Sequence, residues 1–323
     1  MTPAMDNILQ INGSFIEENT DFTGLISEIK NTFGSGDVII PSRHHHDFPN
    51  PKVKADSTLL LMPAWNPGVN AGVKIVTVSP ENGQFNLPSI QGLYIYFDAT
   101  TGEVKAIIEA KSLTTKRTSA TSALASSFLS REDSSSLLMI GTGALSANLI
   151  KAHTRVRPIT DVYVWGRNFD KAQAVCDRLN DEIFSCTPVE TISDKISTVD
   201  IVSCATLSKT PLVCGEQLHS GQHIDLVGAY TKDMRESDDA AMSKASVYLD
   251  TFQGGLNESG DIVIPLNNGT IIREDILGDL FELCSGTISG RSSAEEITLF
   301  KSVGHALEDL AAATYYYMKK TNE

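Results

Sequence analysis

Gly141 and Gly143, in the stretch SLLMIGTGALSANLI (136–150), have the spacing of a phosphate-binding turn. In G-x-G-x-x-G the first glycine permits a tight turn, the second lets the backbone approach a pyrophosphate, and the third allows close helix packing. Ser146 stands at the third position, which asks only for a small side chain. An apolar strand pattern precedes the turn, a helix pattern follows it, and a second strand, DVYVWG, comes at the distance a βαβ unit requires. The end of that strand reads Gly166-Arg167-Asn168. NAD sites carry Asp or Glu there to hold the ribose 2′-hydroxyl, whereas an arginine meets a 2′-phosphate that no carboxylate repels. The expected cofactor is therefore NADPH, with NADH the weaker choice.

Other residue types invite chemistry and are read more plainly. RHHHDF (43–48) offers histidines and Asp47 as zinc ligands, yet consecutive strand residues alternate in direction, so only His44 and His46 share a face and no metal is expected. His305 is expected to pack or cap, and Glu308 and Asp309 to be ion partners on a helix surface or between domains. Tyr315, Tyr316 and Tyr317 read as a helix face against the other domain or subunit. RESDDAAMSK (235–244) reads as a loop and helix start, with acids near the positive end of the dipole.

The elements that must position these groups fall into two patterns. The first third reads as strands at 36–43, 57–65 and 72–80, then two β-rich runs within 92–110 joined at Thr100-Thr101-Gly102, a mixed and largely antiparallel region. Helical spacing begins over 113–130, with Ala120, Leu124, Ala125 and Phe128 on one expected buried stripe. From SLLMIG onward strand and helix alternate through DVYVWG, NFDKAQAVCDRLN, DIVSCAT and HIDLVGA, with ITLFKSV (297–303) as the last strand, which implies a doubly wound parallel sheet. GHALEDLAAATYYYMKK is a closing helix, expected to pack on the N-terminal domain or on a partner subunit.

Composition narrows the class. The 323 residues are 41% hydrophobic and 20% charged, enough for a sizeable core and two domains. A net charge of -14 repels nucleic acid and anionic membrane surfaces, while two or three local cations can still hold a small anion. MTPAMDNILQINGSF lacks the basic and apolar regions of a signal peptide, and no apolar run is long enough to span a membrane, so a cytoplasmic location is expected. Cys176, Cys186, Cys204, Cys214 and Cys284 form no C-x-x-C pair and read as free, mostly buried thiols.

Seven stretches, IIPSRHHH, LLLMPAW, GVKIVTVSPEN, TTKRTSATSALAS, MIGTGALS, HIDLVGAYTKDMRESDD and ITLFKSVGHALEDLAAA, together resemble the ornithine cyclodeaminase and mu-crystallin family, from about residue 36 to 313. The resemblance implies an α/β fold in which a Rossmann domain (116–302) is inserted into a mixed α+β substrate and dimerisation domain (1–115, completed by 303–323). It also implies a homodimer. By the same matching, Arg43, Lys74 and Arg117 would hold a substrate carboxylate, a task that suits guanidinium and ammonium groups. At least one of the three histidines is expected to line the pocket near Arg43, with a polar surface or a dimer contact the reading for the others. Ser89, Arg117, Thr118, Ala144, Leu145, Thr206, Val227, Gly228 and Ser302 would line the dinucleotide, beside Gly141, Gly143 and Arg167, and Val303 would lie next to the substrate.

One departure decides between activities within the resemblance. Cyclodeaminases of this kind carry an aspartate implicated in catalysis where Tyr230 stands, and the form GAYTKDMRESDD is similar to reductases of Δ1-pyrroline-2-carboxylate. The implied reaction is reduction of this small cyclic imino acid to L-proline, and of its six-membered homologue to L-pipecolate, with Lys74 as the catalytic candidate. Ornithine cyclodeamination, an alanine dehydrogenase-like activity and a non-enzymatic NADPH-binding role of the mu-crystallin type are the alternatives.

Overall fold

The computed structural model describes residues 8–322; residues 1–7 and 323, which include the start of the MTPAMDNILQINGSF stretch and the ends of the expected domain ranges, lie outside them. The chain divides into two compact units, one running to Arg117 and resuming at His305, the other Thr118–Gly304.

The first unit is a six-stranded sheet built from β1 (Leu9–Ile11), β2 (His44–Asn50), β3 (Ala55–Asn66), β4 (Asn70–Val78), β5 (Ile90–Asp98) and β6 (Val104–Glu109), ordered β1-β6-β5-β4-β3-β2. β1 joins parallel to β6 and the remaining pairs are antiparallel. Alternation of side chains puts Met62, Lys74, Val76, Tyr94 and Ile108 on a buried face. Across it lies the last helix, α10 (Ala306–Thr321), which packs on β3, β4 and β5 and on α2 (Phe22–Ser35), the helix that follows α1 (Gly13–Asn19). Ala311, Ala312 and Ala313 are all buried and keep this contact close.

Two expectations change here and a third holds. Residues 36–43 form no strand; Ile39 makes an isolated bridge to Trp65, and the strand begins at His44, because Pro41 has no N–H to give a ladder. Tyr316 is buried and meets Thr20 Oγ1 at 2.8 Å, while Tyr315 bonds Asp21 and Tyr317 stacks on Tyr96, so all three tyrosines make contacts inside the first unit, which the last helix completes. The hairpin after β5 turns as read, with Asp98 accepting from the N–H groups of Thr100 and Thr101 and Gly102 at φ +73°.

Glu109 starts α3 (Ala110–Leu129) by accepting from the N–H groups of Lys111 and Ser112 at 2.7 and 2.8 Å. The helix is buried on more than one stripe: Ser119, Thr121, Ser122 and Ser126 are as inaccessible as Ala120 and Leu124, and Phe128 is only half-buried. Its small residues leave no bulky polar face to solvate. The division of the units falls inside this helix.

The second unit holds an eight-stranded, wholly parallel sheet: β7 (Ser136–Ile140), β8 (Asp161–Trp165), β9 (Ser185–Val189), β10 (Ile201–Cys204), β11 (His223–Leu226), β12 (Ser246–Leu249), β13 (Ile276–Asp279) and β14 (Thr298–Lys301), ordered β13-β12-β14-β11-β10-β7-β8-β9. Its helices are α4 (Ser146–His153), α5 (Phe169–Asp177), α6 (Asp239–Lys244), α7 (Phe252–Glu258), α8 (Gly260–Asn267) and α9 (Leu280–Ser285). The fold is thus α/β with a Rossmann-type doubly wound sheet and a second mixed sheet. β14, last in the chain, lies inside the sheet between β11 and β12. Among the described residues no helix is long and apolar enough to cross a membrane. None of the five cysteines forms a disulfide; Cys176 and Cys204 are buried and the other three half-buried.

A polar cluster sits inside this parallel core. Asp225 Oδ2 accepts from Ser203 Oγ at 2.7 Å and faces His153 Nε2 at 3.3 Å. His223 Nδ1 meets Thr298 Oγ1 at 3.0 Å, and since that hydroxyl already donates to the Leu129 carbonyl, the histidine must be the donor. Burial, the largest influence, pushes the His223 pKa down to about 3 from 6.5. The unfolded chain then binds a proton that the native one refuses between these values, so stability falls as pH drops from about 6.5 toward 3, by at most about 1.4 kcal/mol per pH unit from this group. We expect urea midpoints between pH 7 and 4 to fall more steeply for the wild type than for His223→Leu, in which Arg291 still donates to Thr298.

Candidate active site

The first unit gathers three of the cations singled out by sequence. On β4, Lys74 lies in register between Met62 and Tyr94, both buried, so its ammonium rises from an apolar floor beneath α10. Asp309 receives it, with Nζ 2.7 Å from Oδ2 and 3.0 Å from Oδ1. Arg117, on α3, donates Nε to Asp309 Oδ1 at 2.9 Å and NH1 to Glu308 Oε2 at 2.6 Å. Lys74 and Arg117 are 4% and 5% exposed, and both carboxylates 0%. Arg43, half-buried just before β2, adds positive potential to the same group.

Glu308 and Asp309 are therefore neither surface residues nor interdomain partners; they are the buried counter-ions of this cluster. A signal was present in the sequence: the acids of ALEDLAAA stand among apolar residues on every side, leaving the helix no polar face for them. Burial pushes the Lys74 pKa down to about 8 despite the upward pull of Asp309, with Arg117 and Arg43 adding to the depression. Burial would raise Asp309, but Lys74 and Arg117 outweigh it and hold its carboxyl below the usual range. Lys74, Arg117 and Arg43 thus place three cations around the two buried carboxylates of Asp309 and Glu308.

His44 and His46 lie on one face of edge strand β2 with ring centroids 6.1 Å apart, and His45 lies 3.4 Å from Asp47 on the other; all are exposed. Among the described residues no group of three or more His, Cys, Asp or Glu side chains could hold a metal ion. His305 occupies the N-cap position of α10 without a side-chain capping bond. Ser89 is an exposed residue before β5, its hydroxyl 3.4 Å from the Pro80 carbonyl.

The second unit carries the glycine turn. Gly141 has φ +124°, and a Cβ there would come 2.5 Å from the Ala205 carbonyl, so only glycine fits. A Cβ on Gly143 would meet nothing within 4 Å, which leaves the turn open above it. Ser146 does more than stay small: its buried hydroxyl donates to the Gly141 carbonyl at 2.8 Å and ties the helix start to the strand end. The N–H groups of Gly143, Ala144 and Leu145 are taken by no backbone acceptor among the described residues. Open space over unclaimed N–H groups at a helix start fits a pyrophosphate.

Arg167 is exposed at the end of β8, and Asn168 beside it caps α5 by accepting from the Lys171 N–H. Thr118 is buried in α3, and Ser302, Val227, Val303, Thr206 and Gly228 stand at or near the C-terminal ends of β14, β11 and β10. Two carboxylates not foreseen hold these ends. Glu236, read as part of a loop and helix start, is fully buried and accepts from the N–H groups of Thr206 and Gly228, both at 2.7 Å. Asp250 Oδ2 accepts from the N–H groups of Val303 and Gly304 at 2.6 and 2.7 Å. Tyr230 is 46% exposed and places no carboxylate beyond β11.

The profile of the ornithine cyclodeaminase/mu-crystallin family matches residues 21–323. The Δ1-pyrroline-2-carboxylate reductase of Colwellia psychrerythraea is 36% identical over 307 residues, covering 94% of this chain and 96% of its own. Among solved structures, the Thermococcus litoralis Δ1-pyrroline-2-carboxylate reductase in complex with NADH and L-proline has a TM-score of 0.90 at 31% identity, over 98% of both chains. An archaeal alanine dehydrogenase dimer with bound NAD has a TM-score of 0.89 at 27% identity, over 98% of this chain and 96% of its own.

Proposed function

The chain belongs to the ornithine cyclodeaminase/mu-crystallin family, and from that premise we propose that it is an NADPH-dependent reductase converting Δ1-pyrroline-2-carboxylate to L-proline. The observation that carries the reading is the buried meeting of Lys74 and Arg117 on Asp309, a cationic cluster of the kind a small imino acid's carboxylate requires. The relatives named above supply the substrate class.

A bound reduced nicotinamide supplies the two-electron reducing power. The chain's own residues do the rest. Arg43 and Arg117 hold the carboxylate and thereby fix the adjacent C=N bond, so most of the acceleration comes from positioning. Lys74, with a pKa near 8, stands where a proton can be held for the ring nitrogen, and its apolar surroundings exclude competing water. Gly141, Gly143, Ala144 and Leu145 cradle the pyrophosphate, and Thr118, Thr206, Val227, Gly228, Ser302 and Ser89 line the dinucleotide, with Val303 beside the substrate. Arg167 receives the 2′-phosphate, since Gly166 and Asn168 bring no carboxylate to the strand end.

The partner is a second copy of the chain. The sheet face opposite α10 carries Leu61, Ile75, Leu93 and Ile95, none of them buried and Leu93 49% exposed, an apolar face that solvent does not favour. The similarity to a dehydrogenase that forms a dimer supports this occupant.

Mixing the purified protein with Δ1-pyrroline-2-carboxylate should oxidise NADPH faster than NADH, and Arg167→Asp should lower that preference at least about tenfold, the effect of losing one charge-assisted contact and adding a repulsion. No oxidation of either cofactor would overturn the assignment. Because Lys74 must be charged, kcat/KM should fall above a pH of about 8, and Asp309→Asn should move the break to lower pH, since Asp309 is what pulls the Lys74 pKa up. An unmoved break would remove Lys74 from the role. Light scattering should give twice the chain mass, and Leu93→Asp should give one.

A further inference from the structure

The second unit treats the ends of its parallel strands in two opposite ways. After β7 the N–H groups of Gly143, Ala144 and Leu145 meet no backbone acceptor among the described residues. After β10, β11 and β14 they are already taken by buried carboxylates. Glu236 Oε1 accepts from the Thr206 N–H at 2.7 Å and its hydroxyl at 2.9 Å, and Oε2 accepts from the N–H groups of Gly228 and Ala229 at 2.7 and 3.2 Å. Three of these four partners are N–H groups, which can only donate, and they favour the ionised carboxylate against the upward push of burial on its pKa. Asp250 likewise takes the N–H groups of Val303 and Gly304, and the Ser302 hydroxyl at 3.2 Å.

Behind Glu236, Lys301 Nζ lies 3.8 Å from Glu236 Oε2 and 3.1 Å from Asp261 Oδ2, and Asp261 Oδ1 in turn accepts from the Glu236 N–H at 2.8 Å. All three residues are 0% exposed. One buried cation thus faces two buried carboxylates, and the trio keeps a negative charge directly under Thr206 and Gly228.

A dinucleotide in a doubly wound sheet lies across the C-terminal strand ends. With the 2′-phosphate end assigned to β8 and the pyrophosphate to the turn after β7, its nicotinamide end falls to β10, β11 and β14. That ring is neutral when reduced and cationic when oxidised. We propose that Glu236, backed by Asp261 and Lys301, is a positioning residue that shapes the strand ends for the nicotinamide and, by its charge, binds the oxidised cofactor in preference to the reduced one. The bound reduced cofactor is thereby a stronger reductant than the free one, which drives imine reduction forward. The inference rests on the reading of this unit as a nicotinamide dinucleotide site.

Dissociation constants for NADPH, from its fluorescence, and for NADP+, by competition, test it without turnover. The wild type should bind both. Glu236→Gln should lower the ratio of the NADPH to the NADP+ constant by about fivefold or more, because the oxidised form loses a charge–charge attraction that the neutral ring never had. Glu236→Asp, which keeps the charge, should weaken both forms and leave the ratio within about twofold. Asp250→Asn removes the neighbouring charge and should shift the ratio in the same direction as Glu236→Gln, so the test stands even where one variant does not fold. Equal losses for both forms in Glu236→Gln and Asp250→Asn would overturn the proposal and reduce these residues to scaffolding. A wild type that binds neither form would overturn the dinucleotide reading itself.

Discussion

Asp309 is the point on which the first unit closes. Its carboxylate sits at the start of α10, and the two cations that satisfy it come from 235 and 192 positions earlier in the chain. An unpaired charge in that place would be intolerable, so α10 cannot dock on β3, β4 and β5 without Lys74 and Arg117 reaching it together. The ion group therefore sets the register of the last helix on the sheet. It does not follow that the group exists for stability. Apolar side chains of similar volume often serve a core as well as a buried ion pair does, and the surrounding Ala, Leu and Tyr side chains already supply one.

The two units divide the electrostatic work. The chain as a whole carries -14, yet the first unit concentrates Lys74 and Arg117 around the one carboxylate of Asp309. In the second unit the sign changes from strand to strand along one sheet edge. After β7 the N–H groups of Gly143, Ala144 and Leu145 meet no backbone acceptor among the described residues, while Glu236 and Asp250 accept from the N–H groups after β10, β11 and β14. Backbone dipoles are the same at every parallel strand end. Only side chains brought in from elsewhere can make neighbouring ends differ.

How much of this the residues disclosed depended on the range of the interaction. The parallel α/β alternation was legible because each element writes its own pattern, and the turn at Gly141 because both its glycines and its strand lie within a few residues. The sequence reading does not name β9, β12 or β13: Pro188 interrupts the first, Gly278 and Asp279 break the apolar run of the third, and the second is a bare SVYL with no turn signal before it. Residues 36–43 looked like a strand because Val38, Ile39 and Ile40 are apolar, but Pro41 interrupts the ladder. Glu236 passed for a loop acid because its donors, Thr206 and Gly228, stand 30 and 8 positions away. Periodicity reports which face a residue occupies and never what waits on that face.

Ser146 shows the opposite case, in which a departure from a pattern carries information that the pattern lacks. A glycine at the third position would leave the helix start free to shift against β7. The serine hydroxyl instead bonds the carbonyl of Gly141, the one residue of the turn whose φ of +124° excludes any side chain. The two positions are thus one device. The first accepts a conformation that other residues resist, and the second holds it there, so that the start of α4 is fixed against the end of β7. The small polar residue thus replaces the third glycine with a bond that glycine could not make.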